Sequence, residues 1–206
     1  MHHKISQHPL SNLQPFEITQ PYLASFTNIM FNWDDCFKSQ YLRLDSERLE
    51  VSCLSQEESL LVQPQSLINS QFKSVLGDRA LPPGDRYFFA VQFGKGSNFK
   101  VGVASRKCSL NVAFSDQAEG WAYYSCGYLR HNSGGDGPIY GETFGGGNVI
   151  GVYLDMVEGR LFFSKDGRVF PVAYEGSVLL QTKLYPACSL YLETESFRLL
   201  PPVPED

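Results

Sequence analysis

The 206-residue chain is 43% apolar and 14% aromatic, enough to build one well-buried domain and too apolar for a wholly disordered chain. Its net charge of −5 argues against a protein that grips duplex nucleic acid, because such affinity rests on a positive face neutralising phosphates. The five cysteines, Cys36, Cys53, Cys108, Cys126 and Cys188, lack metal-finger spacing and read as small buried or half-buried hydrophobes in a reducing compartment.

Residues 1–30 form the first segment. Pro9, Pro15 and Pro21 block a long helix, so the segment reads as an extended arm carrying Leu10, Leu13, Phe16, Ile18, Tyr22 and Leu23. It is either a solvated tail or an arm that lays these side chains on a partner or across the domain's own sheet. His2, His3 and His8 have no carboxylate or cysteine beside them and are assigned no metal. No apolar leader is visible, and no apolar run approaches the ~20 residues that span a bilayer. The expected address is cytoplasmic, nuclear or another intracellular assembly, with no membrane partner.

Residues 31–200 read as all-β. Leu42 and Leu44, a polar turn at Asp45 to Arg48, then Leu49, Val51 and Cys53 make a half-buried hairpin by their period of two. Gln56 to Ser59 is expected as a loop, and LLVQPQSLI as an edge strand interrupted by Pro64. Gln71 to Asp85 is expected as a loop. RYFFAVQF follows, with Tyr87, Phe89, Val91 and Phe93 on one face, and then FKVGVAS with Phe99, Val101 and Val103. Gly102 falls on the opposite face, where a missing side chain permits close packing. WAYYS, GYLRHN and the Gly-rich bend at Gly145, Gly146 and Gly147 lead to VIGVYLD. The turn from Asp155 to Gly159 joins it to RLFFS, and Asp166-Gly167 is a tight hairpin signal, because glycine takes positive φ without steric cost. LYPACSLYL and SFRLL complete about a dozen short strands at the ~8–12-residue spacing of a two-sheet sandwich, with no convincing helix. Residues 201–206 are a short tail.

Catalytic motifs are not found. The glycines from Gly134 to Gly147 lack the Gly-Lys-Ser/Thr ending of a phosphate loop, and Gly94-x-Gly96 has Phe99 where a dinucleotide fingerprint needs its third glycine. There is no Gly-x-Ser-x-Gly elbow and no His-Glu-x-x-His pair. His131, near Cys126, reads as structural in preference to a base, and Asp155 and Glu158 read as turn acids bonded to local backbone amides. Trp121, Tyr123, Tyr124 and Tyr128 read as core and sheet-face packing.

The ordered set GDRYFFAVQF, FKVGVAS, Gly120-Trp121, RHN, YGETFGGGNVIGVYLD, RLFFS with its KDG turn, and LYPACSLY resembles the SPRY domain family from about Trp33 to about Leu199. Asn148, Asp166 and Ala90 depart from the family's usual residues in ways compatible with the fold, marking a divergent member. The resemblance implies a bent, concanavalin-like jelly roll, an antiparallel β-sandwich of two sheets whose edge loops bind a partner protein or short peptide, without enzyme activity or cofactor. It places the partner-binding positions at Cys53 and Leu54, at Lys107, Leu110, Phe114 and Asp116, and at Tyr191, Leu192 and Glu193. Phe114, Tyr191 and Leu192 are the expected anchors. The second reading is a structural subunit of a large multi-protein complex whose arm docks on neighbours.

Overall fold

In the computed structural model, which describes residues 16–62, 71–135 and 137–202, two sheets share one apolar cluster between them. The strands begin with β1 (Thr27–Asn28), β2 (Trp33–Lys38), β3 (Leu42–Leu44), β4 (Glu50–Cys53) and β5 (Lys73–Gly77). The middle of the chain supplies β6 (Arg86–Phe93), β7 (Phe99–Ala104), β8 (Gly120–Tyr124), β9 (Tyr128–Arg130) and β10 (Val149–Asp155). Last come β11 (Arg160–Lys165), β12 (Arg168–Val169), β13 (Tyr174–Glu175), β14 (Tyr185–Leu190) and β15 (Ser196–Leu200). Sheet one runs β12-β11-β10-β6-β15-β4-β3, with β13 beside β11; sheet two runs β2-β5-β14-β7-β8-β9. All named pairings are antiparallel except one. β1 lies parallel to β6, Thr27 opposite Tyr87, along the part of β6 that β15 does not reach.

Alternation on β6 buries Tyr87, Phe89, Val91 and Phe93, as expected. Phe93 meets Phe99 of the opposite sheet at 4.4 Å between ring centroids, and Trp33 meets Phe197 edge-on at 5.0 Å. Fully burying each such side chain stabilises the fold by about 1.5–3 kcal/mol. The hairpin of β3 and β4 forms with Leu42 opposite Cys53. The Asp166-Gly167 turn has φ of 49° and 83°, the double positive φ that suits the strand twist.

Three expectations are corrected. Gln71 to Asp85 is not all loop, because it contains β5, buried along its whole length between β2 and β14. A strand covered on both faces has no alternation to read. Gln56 to Ser59 and Leu60 to Val62 are helical: they form α2, while the rest of the expected LLVQPQSLI strand lies outside the described residues. Ser55 and Glu58 start that helix reciprocally. The Ser55 amide donates to Glu58 Oε2 at 2.9 Å, and the Glu58 amide donates to Ser55 Oγ at 3.3 Å, a capping box that outweighs the β-branched end of the segment. Short helices thus exist where none was expected: α1 (Gln20–Ala24), α2 (Gln56–Val62) and α3 (Ser177–Leu180). Pro21, read as a helix breaker, sits in the first turn of α1, where its missing N–H costs nothing.

The described part of the arm lies on the chain's own sheet. Phe26 packs edge-on against Tyr153 and Phe162, and Tyr22 stacks on Phe162. The Tyr22 hydroxyl donates to Asp155 Oδ2 at 2.6 Å, and Arg86 Nε donates to the same oxygen at 2.8 Å. Asp155 Oδ1 accepts from the Val157 and Glu158 amides, the local bonding expected of a turn acid. Asp155 itself is completely buried, while Val157 and Glu158 at the tip of the turn are exposed.

Candidate functional site

The candidate surface is built on the outer face of sheet two. Phe99, Val101 and Val103 of β7 enter the core, so Lys100, Gly102 and Ala104 face the other way. Cross-strand register aligns Lys100 with Ser189 on one side and Tyr124 on the other, and Tyr124 with Tyr128. Gly102, Ala104, Ala122 and Ala187 leave a shallow trough beside that row. The loop after β7 returns across the trough and fills it with Phe114. Its backbone is stitched down: the Ser74 amide donates to the Leu110 carbonyl at 2.8 Å, and Ser74 Oγ donates to the Val112 carbonyl at 2.6 Å. At Gly120 an added Cβ would collide with the Phe114 carbonyl and ring, so only glycine fits there.

Where the loop ends, Asp116 Oδ1 lies 2.5 Å from Lys100 Nζ, a pair in which the lysine is almost fully buried. Lys100 Nζ also stands 4.3 Å above the Phe72 ring and 5.2 Å from that of Tyr124. Phe72 in turn contacts Tyr191 edge-on at 5.0 Å. The result is a rim of three half-buried rings, two of them, Phe72 and Tyr124, against one ammonium group and the third, Tyr191, edge-on to Phe72. Burial pushes the Lys100 pKa down and the Asp116 bond opposes it. Beyond Tyr124, the Arg130 guanidinium lies 5.2 Å from that ring and 5.4 Å from Tyr128.

Two buried ionisable groups hold the Tyr191 turn. Lys73 Nζ donates to the Tyr191 carbonyl at 2.7 Å, and burial lowers its pKa against the pull of Cys53, Glu195 and Glu193. Glu195, 1% exposed, takes the Tyr191 and Leu192 amides on Oε2 and the Ser97 and Asn98 amides on Oε1. The Glu193 carboxylate accepts from the Gln56 amide at 2.7 Å, which ties the start of α2 to the same turn.

Several expected positions are thereby brought together. Tyr191, Leu192 and Glu193 form the turn, Leu54 and α2 stand beside it, and Asp116 closes on Lys100. Others need correction. Phe114 is fully buried and cannot serve as an exposed anchor; its ring is the plug beneath the loop. Cys53 is a core residue, 8% exposed, whose thiol burial pushes up to about 12. Leu110 packs against the Phe114 cluster, half-buried. Lys107 lies at the far end of β7, next to the segment 181–185. Sequence reasoning missed Phe72, Lys100 and Arg130, and assigned Tyr124 and Tyr128 to packing. The available signal was a lysine inside the apolar run FKVGVA, a position that needs a partner carboxylate.

His131 stacks on Trp121 at 4.6 Å with an interplanar angle of 10°, and its Nδ1 lies 2.8 Å from the Gly120 carbonyl, so it acts as a sheet-edge brace. Among the described residues, no group of three or more His, Cys, Asp and Glu side chains is placed to hold a metal ion, and no helix is long and apolar enough to cross a membrane.

The family model for the SPRY domain matches residues 86–202. SPRY domain-containing SOCS box protein 3 of Xenopus tropicalis is 27% identical over 168 residues, covering 76% of this chain and 42% of the relative. The Ran-binding proteins 9/10 homolog of Drosophila melanogaster is 30% identical over 112 residues, covering 50% of this chain and 11% of the relative. The chain therefore spans less than half the length of these relatives. Among solved structures, the SPRY domain of human HERC1 superposes with a TM-score of 0.63 at 19% identity, covering 82% of this chain and 96% of that one. The TRIM65 PSpry domain gives 0.67 at 15% identity, covering 92% and 99%. The ordered strands, the two-sheet architecture and the matched segment agree: the chain belongs to the SPRY domain family.

Proposed function

We propose that this chain is a non-enzymatic interaction module that grips a partner protein or short peptide through the rim of Phe72, Tyr124 and Tyr191. The observation that carries the reading is the cluster of half-buried rings around the Lys100–Asp116 pair, pinned from below by Glu195. Aromatic side chains that are already immobilised lose little entropy on contact and present both apolar area and polar edges, the composition of interaction hot spots. Leu192, 41% exposed, stands at the outer edge of this rim. Family membership supports the same reading, as do relatives whose names describe a SOCS box protein and a Ran-binding protein.

The test starts with proximity labelling on the intact chain to identify a partner, followed by affinity measurement on the purified pair. Tyr191→Ala with Phe72→Ala should weaken that affinity by roughly tenfold or more, whereas Arg168→Ala on the distant β11–β12 hairpin should leave it unchanged. Equal affinity for wild type and rim variant would sink the proposal.

A further inference from the structure

Tyr185 and Leu190 stand at the two ends of β14, about 16 Å apart at the rise of a strand. The aromatic rim lies at the Leu190 end. At the Tyr185 end, the chain leaving β7 and the segment before β14 enclose a recess of about 300 Å3. Three of its walls are cationic, Arg106, Lys107 and Lys183, and none of its lining residues is acidic. In a chain of net charge −5 this is a local reversal of sign.

The three cations are not equivalent. Arg106 is held flat between the rings of Phe37 at 4.0 Å and Tyr185 at 4.4 Å, and it spends part of its charge on Asp34 at 2.5 Å. Its Nε is buried and meets no acceptor among the described residues. Lys107 and Lys183 have no carboxylate within ion-pair distance among the described residues, and both are exposed. A fixed guanidinium flanked by two free ammonium groups is a standing positive potential in a concave, partly apolar site. Low-dielectric walls strengthen the field that an incoming anion meets.

We propose that this recess is a second contact point that takes a carboxylate-bearing, acidic segment of a partner polypeptide. The inference rests on the interaction reading above and adds to it a partner chemistry and a direction. The length of β14 sets the span from rim to recess at about 16 Å, so an extended segment that crosses the loop covering β14 needs at least about five residues to touch both. Charge complementarity selects the acidic segment, since the lining carries three cations and no carboxylate.

The experiment titrates the full chain with a glutamate octamer, a glutamine octamer and inorganic phosphate, following backbone amide shifts. The glutamate octamer should shift the Lys107 and Thr182 amides, weaken as sodium chloride is raised, and bind the double variant Lys107→Gln, Lys183→Gln about fivefold or more weakly. Lys183→Glu alone, at an exposed position, should do the same if the double variant is poorly folded. Equal shifts from both octamers, or binding that the variants leave intact, overturns the proposal. So does saturation by phosphate with no response to the glutamate octamer, which would mark a free-anion site. Tyr191→Ala should not change octamer binding, so failure here leaves the rim reading standing, and failure of the rim test leaves this one to be read separately.

Discussion

The Tyr191 amide lies 2.7 Å from Oε2 of the buried Glu195 carboxylate, so one ring of the rim is positioned by an acid four residues further along the chain. The same carboxylate binds the Leu192, Ser97 and Asn98 amides, joining the turn after β14 to the turn before β7. Glu195→Gln puts an N–H₂ group against one pair of those donors. Leaving buried donors unpaired costs about 1–3 kcal/mol. Chemical denaturation should show that loss, and partner affinity should fall with it although Glu195 itself is hidden. Unchanged stability would mean the four amides are satisfied in some other way.

Phe114 and Tyr191 are expected to separate stability from binding. Phe114→Ala removes a fully buried ring from the trough on sheet two and should destabilise the fold by about 3–5 kcal/mol. Tyr191→Ala, at a half-buried turn position, should cost about 1 kcal/mol or less while weakening partner affinity by about fivefold. Paired urea melts and affinity measurements on both variants check this. The reverse ranking would restore Phe114 as an anchor.

Tyr22 latches the arm to sheet one through its bond to Asp155. Tyr22→Phe keeps the stacking on Phe162 but loses that bond, at a cost of about 1 kcal/mol for a partly exposed pair. Removing residues 1–28 should go further and uncover Tyr153 and Phe162, which a fluorescent apolar dye would report as increased binding. No change in dye fluorescence would show that the arm contributes little cover.

Asp155 carries a pH dependence. Burial by itself would raise its pKa, but bonds from Arg86, Tyr22 and the Glu158 and Val157 amides outweigh burial and bring it below the ordinary 3.8. In the acid range the unfolded chain therefore binds the proton more readily than the folded one. The stabilisation is complete above 3.8 and is lost as pH falls through the depressed folded value. Urea midpoints measured from about pH 7 to about pH 2 should show Asp155→Asn well below wild type at neutral pH, with the gap closing at the acid end. A constant gap would assign the loss to packing alone.

Much of the sandwich was legible because its strands write their burial as alternation or as turn chemistry. RYFFAVQF shows one face of four large residues, and Asp166-Gly167 demands positive φ at both positions; each reading depends on neighbours a few residues away. The capping box of Ser55 and Glu58 was equally local, and it was overlooked because the Leu60 to Val62 run after it looked like a strand. The site was less legible. Loop positions around Tyr191 and Asp116 were found through family resemblance, but Phe72 and Lys100 were not, since the two are 28 positions apart and meet only when β5 and β7 flank β14.

Sequence alone determined the class of fold, most strand positions and the tight turns, because backbone propensity and the period-two pattern act over a handful of residues. Tertiary structure alone decided that Phe114 is a plug, that Glu195 is the clamp beneath the rim, and that Lys107 faces Lys183 at the far end of β14. Those outcomes depend on which distant backbone closes over a side chain, and burial of that kind leaves no local pattern to read.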